Sequence, residues 1–425
     1  MSEKKESNYL LPIIVMFGLF AMISFVTGLQ NPFGVIVKEQ FALSDFESQL
    51  GNFANFIAYA FMGIPAGLIL QKKGYRITSM LAVLIGLIGV ALMFLSSVPA
   101  QVAENGSLIY ALYISGAFVA GFSMCTLNVV VNPMLNTLGG GGKKGNQLLQ
   151  FGGATNSLAA TLVPVLVGYL IGGEVAKATL IDARVALYIA MAIFAIALVV
   201  LYVYTLPEPI LDEIAKNGKG EKVAMSGVFK YKHFVGGMVA IFLYVGIEVG
   251  IANMSNLYMT ADTAKGGLGM SAAVAGTIVG FYWLLMLVGR LVGGSLGGLF
   301  TSKTMLAAVS AAGIIFLIIG IYTPSDMITV FSQEIPKNVL WLVLCGLCTS
   351  VMWSAIFNIA TEGLGKYTAV ASGLFMVMVC GGGILPLANS ALSDSVGYMN
   401  SFWVTIVAFA YLFLYAILAG GKKNA

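Results

Sequence analysis

Long apolar stretches recur along the whole chain, and they constrain its fold more than any other feature. Each extends over about 20 residues or more, the length that an α-helix needs to cross the hydrocarbon core of a bilayer. Only 9% of the 425 residues are charged and 59% are hydrophobic, and a water-exposed surface cannot be built from so few charges. A soluble enzyme, a nucleic-acid-binding protein and a disordered chain are therefore excluded.

Twelve membrane spans are predicted when the chain is scanned with a window of that length. The apolar runs are continuous rather than alternating, so helices and not strands are expected to cross the bilayer. The first run lacks a small-residue cleavage site, and we expect it to be retained as a span. The predicted spans are 10–36, 47–70, 77–97, 108–137, 147–172, 182–205, 233–260, 270–299, 304–323, 338–360, 368–392 and 400–420.

The distribution of lysine and arginine predicts the orientation of these spans. If the N-terminus is inside, seventeen of the 22 basic residues fall at the termini or in inner loops, and five fall in outer loops. Cytoplasmic loops carry such an excess of positive charge. Both termini are therefore predicted to be cytoplasmic, and short outer loops with a lysine-rich inner face are typical of a multi-pass protein of a bacterial inner membrane.

One hydrophilic interval divides the spans into two sets of six. It covers 208–232 and has the composition of a flexible cytoplasmic linker. The predicted domains are an N-terminal bundle of six helices over 1–207 and a C-terminal bundle of six over 233–425.

The two halves repeat each other weakly but in register. GLILQKKGYRITSML (67–81) is similar to GSLGGLFTSKTML (294–306), and Pro164 is matched by Pro386, 222 residues later. Two parallel six-helix halves are the repeat plan of carriers that bind their substrate near the midplane. The predicted fold class is an all-α membrane protein with twelve transmembrane helices in two pseudo-symmetric six-helix bundles, the major facilitator fold.

Short motifs spread over nearly the whole chain carry a more specific resemblance. In the second half they are FLYVGIEVGIAN (242–253), FYWLLMLVGR (281–290), GLGKYTAVASGL (363–374) and ILPLANSALSDSVG (384–397). In the first half they are FALSDF (41–46), IPAGLIL (64–70), the Asn132–Pro133 pair, and NSL (156–158) before Pro164. In this order and spacing, the chain resembles the fucose–galactose–glucose:proton symporter family.

The resemblance implies a carrier of a hexose or deoxyhexose that works by alternating access and is usually driven by protons. The fucose-permease branch of the family has one acid in the first helix and another in the fourth. Counting from the motifs places these two positions at Asn31 and Asn128, which are amides here. The family's proton-carrying pair is therefore missing, and proton coupling, sodium coupling and uncoupled transport all stay open.

Polar side chains deep in a bilayer are costly unless they are paired or line a cavity, so each is a candidate for the site. Glu248 is the exception among the acids because it lies midway through a span. With no deep cation expected beside it, it suits the coupling role of binding a proton or sodium ion, or it accepts hydrogen bonds from sugar hydroxyls. The alternative is a structural role, as a protonated glutamate that bonds to a neighbouring helix. The absence of a deep cation also favours a neutral substrate, because an anionic one calls for a buried Arg or Lys.

Asn and Gln side chains both donate and accept hydrogen bonds, as a pair of neighbouring sugar hydroxyls requires. Indole or phenol rings can cover the apolar face of a sugar. Each amide has the alternative role of bonding one helix to another. Helical spacing predicts that Asn128 and Asn132 share one face and that Gln150 and Ser157 share another, while Pro32 is expected to break the first helix. The candidate substrate-binding residues are Gln30, Asn31, Asn128, Asn132, Gln150, Asn156, Glu248, Asn256, Tyr282, Trp283, Trp353, Asn358 and Asn389.

Basic residues at inner helix ends are candidates for gating, with positive-inside anchoring as the alternative. They are Lys73, Arg76 and Arg290.

Other conspicuous motifs are interpreted as structural. The glycines of the eighth span, such as Gly293 and Gly297, indicate small-residue packing, and GGGG at 139–142 lacks the context of a phosphate loop. Cys345 and Cys348 form a CxxC inside an apolar helix with no second pair. No catalytic residue, cofactor or metal site is predicted.

The expected partners are a neutral sugar, a proton or sodium ion, and the lipid bilayer, with the chain as a monomer and no role for nucleic acid. The sequence leaves open whether the sugar is fucose, glucose, galactose or an amino sugar. A polytopic membrane enzyme and a receptor are the less favoured alternatives, because the chain has no nucleotide motif or Cys/His/Asp cluster and its tails, MSEKKESN and GGKKNA, are short.

Overall fold

The chain folds into an almost entirely helical bundle. The computed structural model describes residues 9–43, 47, 50–97, 106–171, 179–209, 211–212, 225–270, 272–330 and 333–419. The helices are α1 (Leu10–Phe41), α2 (Leu50–Ser96), α3 (Gly106–Leu138), α4 (Gly142–Leu170), α5 (Arg184–Val203), α6 (Lys232–Thr260), α7 (Ala272–Gly297), α8 (Ser302–Tyr322), α9 (Lys337–Ser350), α10 (Met352–Thr361), α11 (Thr368–Val377), α12 (Gly381–Val396), α13 (Tyr398–Ser401) and α14 (Trp403–Leu418).

Shorter elements join some of these helices. Strands β1 (Met327–Val330) and β2 (Gln333–Pro336) pair as an antiparallel hairpin between α8 and α9, which the spacing of apolar runs did not predict. The 3₁₀ segments are Met225–Lys230, Thr263–Lys265, Gly365–Tyr367 and Met378–Cys380.

The prediction of twelve helical spans is confirmed. Among the described residues, eleven helices are long and apolar enough to cross a membrane. One of them, Phe53–Ser96, has 44 residues and is interrupted at Gly74, so it supplies both the second and the third predicted spans. Helices prevail because a bilayer core offers no water to the backbone, which must bond within each segment.

The interruption at Gly74 is fixed by a residue from beyond the sixth span. Gly74 has a φ of 76°, a conformation that glycine adopts at little cost. The carboxylate of Glu208 accepts hydrogen bonds from the backbone N–H groups of Tyr75 (2.6 Å) and Arg76 (2.9 Å). An acid at this position caps the start of the second part of α2. Burial of the carboxylate nevertheless raises the pKa of Glu208.

Two local expectations are wrong. Helix α1 continues through Pro32 to Phe41, because neighbouring helices compensate for a proline in a membrane helix. Part of the predicted flexible linker is ordered, since residues 225–230 form a 3₁₀ helix in which Gly227 packs against the ring of Tyr367. Residues 213–224 of that linker lie outside the described residues.

The first half (described residues up to 212) and the second half (from 225) approach closely at one end of the bundle. We call it the basic end, and it contains the turns 72–76, 139–145, 298–303 and 362–367. There, a Cβ placed on Gly67 of α2 would lie 2.8 Å from the carbonyl oxygen of Ala369 in the second half. Nearby, Lys143 Nζ donates to the carbonyl of Leu299 (2.7 Å).

The glycines of α7 serve the same contact. A Cβ on Gly294 would lie 2.7 Å from the ring of Phe151, and one on Gly297 would lie 3.2 Å from Cα of Gln147. Small residues let α7 and α4 pack this tightly, as the sequence predicted.

Candidate functional site

One face of α4 is directed at the second half. Residues spaced by three or four positions lie on one side of a helix, and this face consists of Asn146, Gln150, Gly153 and Ser157. Gln150 Nε2 donates to the carbonyl of Val351 (3.0 Å), and Ser157 contacts Arg290. The predicted shared face of Gln150 and Ser157 is confirmed, and it lines the boundary between the halves.

An uncharged chain of hydrogen bonds crosses that boundary from α2 through α3 to α10. Asn128 Nδ2 donates to the hydroxyl of Tyr59 (3.0 Å), and Asn132 Nδ2 donates to Asn128 Oδ1 (3.2 Å). Trp353 Nε1 then donates to Asn132 Oδ1 (2.9 Å). We call Tyr59, Asn128, Asn132 and Trp353 the amide chain, and it confirms that the two asparagines share one face of their helix.

A charged group of residues crosses the same boundary between α6, α7 and α4. Arg290 Nη2 donates to Glu248 Oε1 (3.2 Å), which is an ion pair within the second half. Arg290 Nη1 donates to the carbonyl of Gly153 (2.9 Å) and to Ser157 Oγ (2.5 Å) in the first half. We call these four residues the ion-pair cluster.

The expectation that no cation lies deep beside Glu248 is therefore wrong. Helix α7 continues for seven residues beyond Arg290, to Gly297, so this arginine lies two turns inside the helix and not at its inner end. Long side chains on a helix point towards its N-terminus, here away from the basic end and towards the middle of the bundle. The pair has no net charge, so a neutral substrate is still expected, now because the cation is compensated.

Aromatic residues adjoin the ion pair and the amide chain. Tyr282 is buried, and its hydroxyl donates to the backbone carbonyl of Glu248 (3.1 Å) and lies 3.0 Å from Thr349 Oγ1. Trp283 packs edge-on against Tyr282 and is 36% exposed. Trp353 lies 6.2 Å, between ring centroids, from Tyr244. A ring with an exposed face is what a sugar's apolar side can stack on.

Several predicted residues lie away from these two groups. Asn156 Nδ2 donates to the carbonyl of Phe20 (3.1 Å) in its own half, and Asn256 is exposed near the end of α6. Asn358 Nδ2 donates to the carbonyl of Gly142 (2.7 Å) at the basic end.

The remaining predicted substrate-binding residues are Asn389, Gln30 and Asn31. Asn389 is buried and lines an apolar groove among α6, α12 and α14, inside the second half. The backbones of Gln30 and Asn31 belong to α1, but their side chains lie outside the described residues.

The predicted gating residues differ in their contacts. Lys73 is exposed, whereas Arg76 donates from Nε to the carbonyl of Leu201 (3.1 Å) and from Nη2 to that of Tyr202. These contacts join the turn after the second span to the sixth span, within the first half. Arg290 is the candidate that reaches across the halves.

Sequence reasoning missed Tyr59 and Asn55 of α2. Tyr59 begins the amide chain, and Asn55, one turn earlier, is 1% exposed with neither amide atom hydrogen-bonded among the described residues. Two polar residues four positions apart in an apolar span are the signal that could have found them.

The described residues contain no group of three or more His, Cys, Asp or Glu side chains that could hold a metal ion. The four cysteines are free, and Cys345 bonds through Sγ only locally, to the carbonyl of Trp341 (3.4 Å).

Comparison with known proteins bears on what such a bundle does. The sequence profile of the Major Facilitator Superfamily matches residues 16–386. A glucose/galactose transporter of Brucella abortus biovar 1 (strain 9-941) is 29% identical over 424 residues, which cover 99% of this chain and 96% of that protein. The L-fucose-proton symporter of Escherichia coli (strain K12) is 21% identical over 434 residues, covering 97% and 94%.

Solved structures show the same fold. The crystal structure of FucP, a Major Facilitator Superfamily transporter in the outward conformation, matches with a TM-score of 0.81 and 19% identity, over 98% of this chain and 100% of that one. The proton:xylose symporter XylE bound to 6-bromo-6-deoxy-D-glucose matches with a TM-score of 0.70 and 16% identity, over 97% and 95%.

Proposed function

The chain belongs to the major facilitator superfamily, and from that premise we propose that it carries a neutral hexose or deoxyhexose across the membrane as a cation symporter. The observation that carries the proposal is the boundary between the halves, where the amide chain and the ion-pair cluster both cross. Carriers with this repeat plan bind their substrate there and expose it alternately to the two sides.

The chemistry of the boundary suits a neutral polyhydroxylated ligand. Asn128 and Asn132 supply amides that both donate and accept, as a pair of neighbouring hydroxyls requires. Gln150 Oε1 is buried without a hydrogen-bond partner among the described residues, so it has an acceptor to offer. The names of the relatives point in the same direction, to the glucose, galactose and fucose class; an amino sugar, in which an acetamido group replaces one hydroxyl, is a further sugar to test.

Glu248 is the residue that we assign to coupling. It is the acid of the ion pair that lies midway along α6, and an ionisable group inside the membrane is typical of proton relays and ion pathways. A proton is the favoured ion because the fucose and xylose relatives are named as proton symporters; sodium is the other ion to test.

We infer that the described arrangement is that of a carrier closed on the inside. The positive-inside rule places the basic end and both termini in the cytoplasm, in keeping with a monomeric multi-pass protein of a bacterial inner membrane. Contacts such as Lys143 to Leu299 and Asn358 to Gly142 close the halves at that end. The two halves, 1–207 and 233–425, would rock about the boundary and open it alternately to the two sides.

Uptake by purified protein in liposomes tests this function. A panel of labelled hexoses and deoxyhexoses is presented with an inward proton gradient, an inward sodium gradient, or neither, and protein-free liposomes are the control. We expect saturable uptake of at least one sugar, with accumulation above equilibrium under the proton gradient. If no sugar of the panel is taken up under any condition, the sugar assignment is wrong.

An uncoupled facilitator is the second candidate. The observation in its favour is that amides occupy Asn31 and Asn128, where the resemblance implies the family's acids. It predicts saturable uptake that equilibrates and never exceeds the outside concentration under either gradient.

A further inference from the structure

The groove that Asn389 lines lies within the second half, among α6, α12 and α14, and has a volume of about 490 Å³. Its walls are mostly aliphatic, and Val407 of α14 is 68% exposed there. All three helices belong to segments that are long and apolar enough to cross a membrane. An exposed apolar surface on such segments is a contact surface for the bilayer. The groove is therefore accessible to phospholipids.

One buried amide interrupts this apolar surface. Asn389 is 3% exposed, and its Oδ1 has no hydrogen-bond partner among the described residues. A polar atom left unpaired inside a bilayer is unfavourable, because hydrocarbon offers it no donor. The χ2 torsion of an asparagine is broad, so Oδ1 can turn to meet a donor that comes from the groove. A molecule that brings an N–H or O–H to this oxygen is therefore favoured there.

The amide lies near the membrane surface opposite the basic end. Asn389 is seven residues, about 10 Å, before the end of α12 at Val396. Trp403, the first residue of α14, lines the same groove and is 43% exposed, and tryptophan is enriched where the bilayer meets water. From Trp403 the groove follows α14 for about two turns, to Tyr411. One end of the groove is therefore close to the lipid headgroups, and the other lies among acyl chains.

A second groove of similar volume, about 510 Å³, shows what the amide adds. It lies between the second part of α2 and α5 in the first half, and its lining residues include Met80, Leu84 and Leu198. None of the described residues that line it has a buried side-chain atom without a hydrogen-bond partner. We expect this second groove to hold acyl chains without selecting a headgroup.

We propose that the groove of Asn389 is a binding site for one phospholipid with a primary-amine headgroup, phosphatidylethanolamine. The ammonium of the headgroup donates to Asn389 Oδ1, and one acyl chain lies along α14 past Val407. Hydrogen bonds from a charged donor are stronger than those between neutral groups. Phosphatidylcholine carries the same charges but has three N-methyl groups and no N–H, so it cannot donate to the amide.

The site is separate from the boundary between the halves. Gly246 and Gly250 line the groove from α6. Glu248, midway between them, lies about 200° around the helix from each and bonds to Arg290. The lipid and the ion pair therefore occupy opposite faces of α6. The inference goes beyond the proposed function and does not depend on it, because lipid binding here needs no sugar.

Quenching of Trp403 by brominated lipid tests the site. The purified protein is reconstituted in liposomes of phosphatidylethanolamine and phosphatidylcholine, one of which has brominated acyl chains. Bromine quenches an indole only at close range, and the difference in emission between wild type and Trp403→Phe gives the signal of Trp403. We expect half-maximal quenching at an about tenfold lower mole fraction of brominated phosphatidylethanolamine than of brominated phosphatidylcholine, as for one hydrogen bond to a charged group.

Two variants define the contact. Asn389→Leu keeps a side chain of similar size and removes the acceptor, so both lipids should quench Trp403 at equal mole fractions. Asn400→Leu is the matched control, because Asn400 is an exposed amide at the same end of the bundle and is not among the lining residues. Its Nδ2 donates to the carbonyl of Val396 (3.1 Å). This variant should keep the preference of about tenfold.

A series of headgroups tests the hydrogen bond in the unchanged protein. Phosphatidylethanolamine with one or two N-methyl groups keeps its positive charge and at least one N–H. We expect both lipids to be preferred over phosphatidylcholine at Trp403, and the preference to disappear only with the third methyl group.

The outcomes are decisive for the lipid site alone. Equal quenching by the two lipids in wild type overturns the proposal, as does a preference that Asn389→Leu retains or that Asn400→Leu loses. A preference that declines evenly with each methyl group would assign the selection to headgroup size and would also overturn it. A failure of sugar uptake in the separate liposome assay contradicts the proposed function and leaves the lipid site standing.

Discussion

The amide chain and the ion-pair cluster cross the same boundary, but they differ in charge and in where their polar atoms come from. The amide chain is uncharged and is centred on α3 in the first half, with one indole from the second half. The ion-pair cluster has both of its charges in the second half and borrows neutral acceptors from the first. One region can hold a neutral ligand without titrating, and the other can change its charge.

If the proposed roles hold, sugar binding is concentrated in the first half and ion coupling in the second. In the family that the chain resembles, acids at the positions of Asn31 and Asn128 are implied in the first half. Here Asn128 is built into the amide chain, and the buried acid lies across the boundary, at Glu248. We therefore expect variants of the two regions to change different properties of transport.

Glu248→Gln is expected to have the largest effect. A pH difference of one unit is a tenfold difference in proton activity, so a one-proton symporter can accumulate sugar about tenfold. The variant should lose this accumulation entirely and keep exchange of labelled for unlabelled sugar. The side-chain amide of the glutamine can still form hydrogen bonds, but it cannot gain or lose a proton. The measurement is steady-state sugar uptake in liposomes. The control variant is Glu334→Gln, which changes an exposed acid of the β1–β2 hairpin. Uphill uptake by Glu248→Gln at the wild-type level would show that Glu248 has no coupling role.

Gly67→Ala should disturb the contacts between the halves, and with them both the amide chain and the ion-pair cluster. Its Cβ would lie 2.8 Å from the carbonyl oxygen of Ala369 and 3.0 Å from Cα of Gly373, and backbone atoms cannot move aside as side chains do. Overpacking of about 1–3 kcal/mol at the basic end should open it and slow uptake about tenfold. Gly280→Ala of α7, where a Cβ meets nothing within 4 Å, is the control. Equal uptake by both variants would show that this contact does not set closure.

Asn128→Ala should weaken sugar binding and leave coupling alone. Loss of one or two hydrogen bonds of about 1 kcal/mol each predicts a roughly five- to thirtyfold higher half-saturation concentration, with unchanged accumulation per unit of proton gradient. Asn338→Ala is a close control, because Asn338 Nδ2 donates to the hydroxyl of Tyr258 (2.9 Å), as Asn128 does to Tyr59, but within the second half. If the two variants bind sugar equally well, the amide chain is only structural.

Glu208→Gln should have the smallest effect, outside both regions. Burial raises the pKa of Glu208, so its contribution to stability is full below the ordinary pKa of a glutamate and is lost as pH rises through the raised value. As pH rises through that window, the Tm of the wild type should therefore fall relative to the Tm of the variant, by on the order of 1 °C. Thermal unfolding at several pH values measures it; parallel curves for the two proteins would contradict the assignment.

The local sequence pattern was enough to predict the membrane spans and which residues are neighbours on one helix. Apolar length predicted twelve helices, and spacing of four residues predicted that Asn128 and Asn132 share one face of their helix. Both depend on distances along the chain, which helix geometry fixes at 1.5 Å per residue. The prediction that Pro32 breaks the first helix was wrong, because the cost of a proline depends on the helices packed around it.

The sequence by itself determined the membrane-spanning architecture, the two halves and the types of polar residue available at the boundary. Tertiary structure alone decided which of them meet. Glu248 and Arg290 are 42 residues apart, Tyr59 and Asn128 are 69 apart, and Asn132 and Trp353 are 221 apart. No periodicity links such positions. Their contacts follow from the packing of one helix on another, and that packing turned an acid with no apparent partner into half of an ion pair.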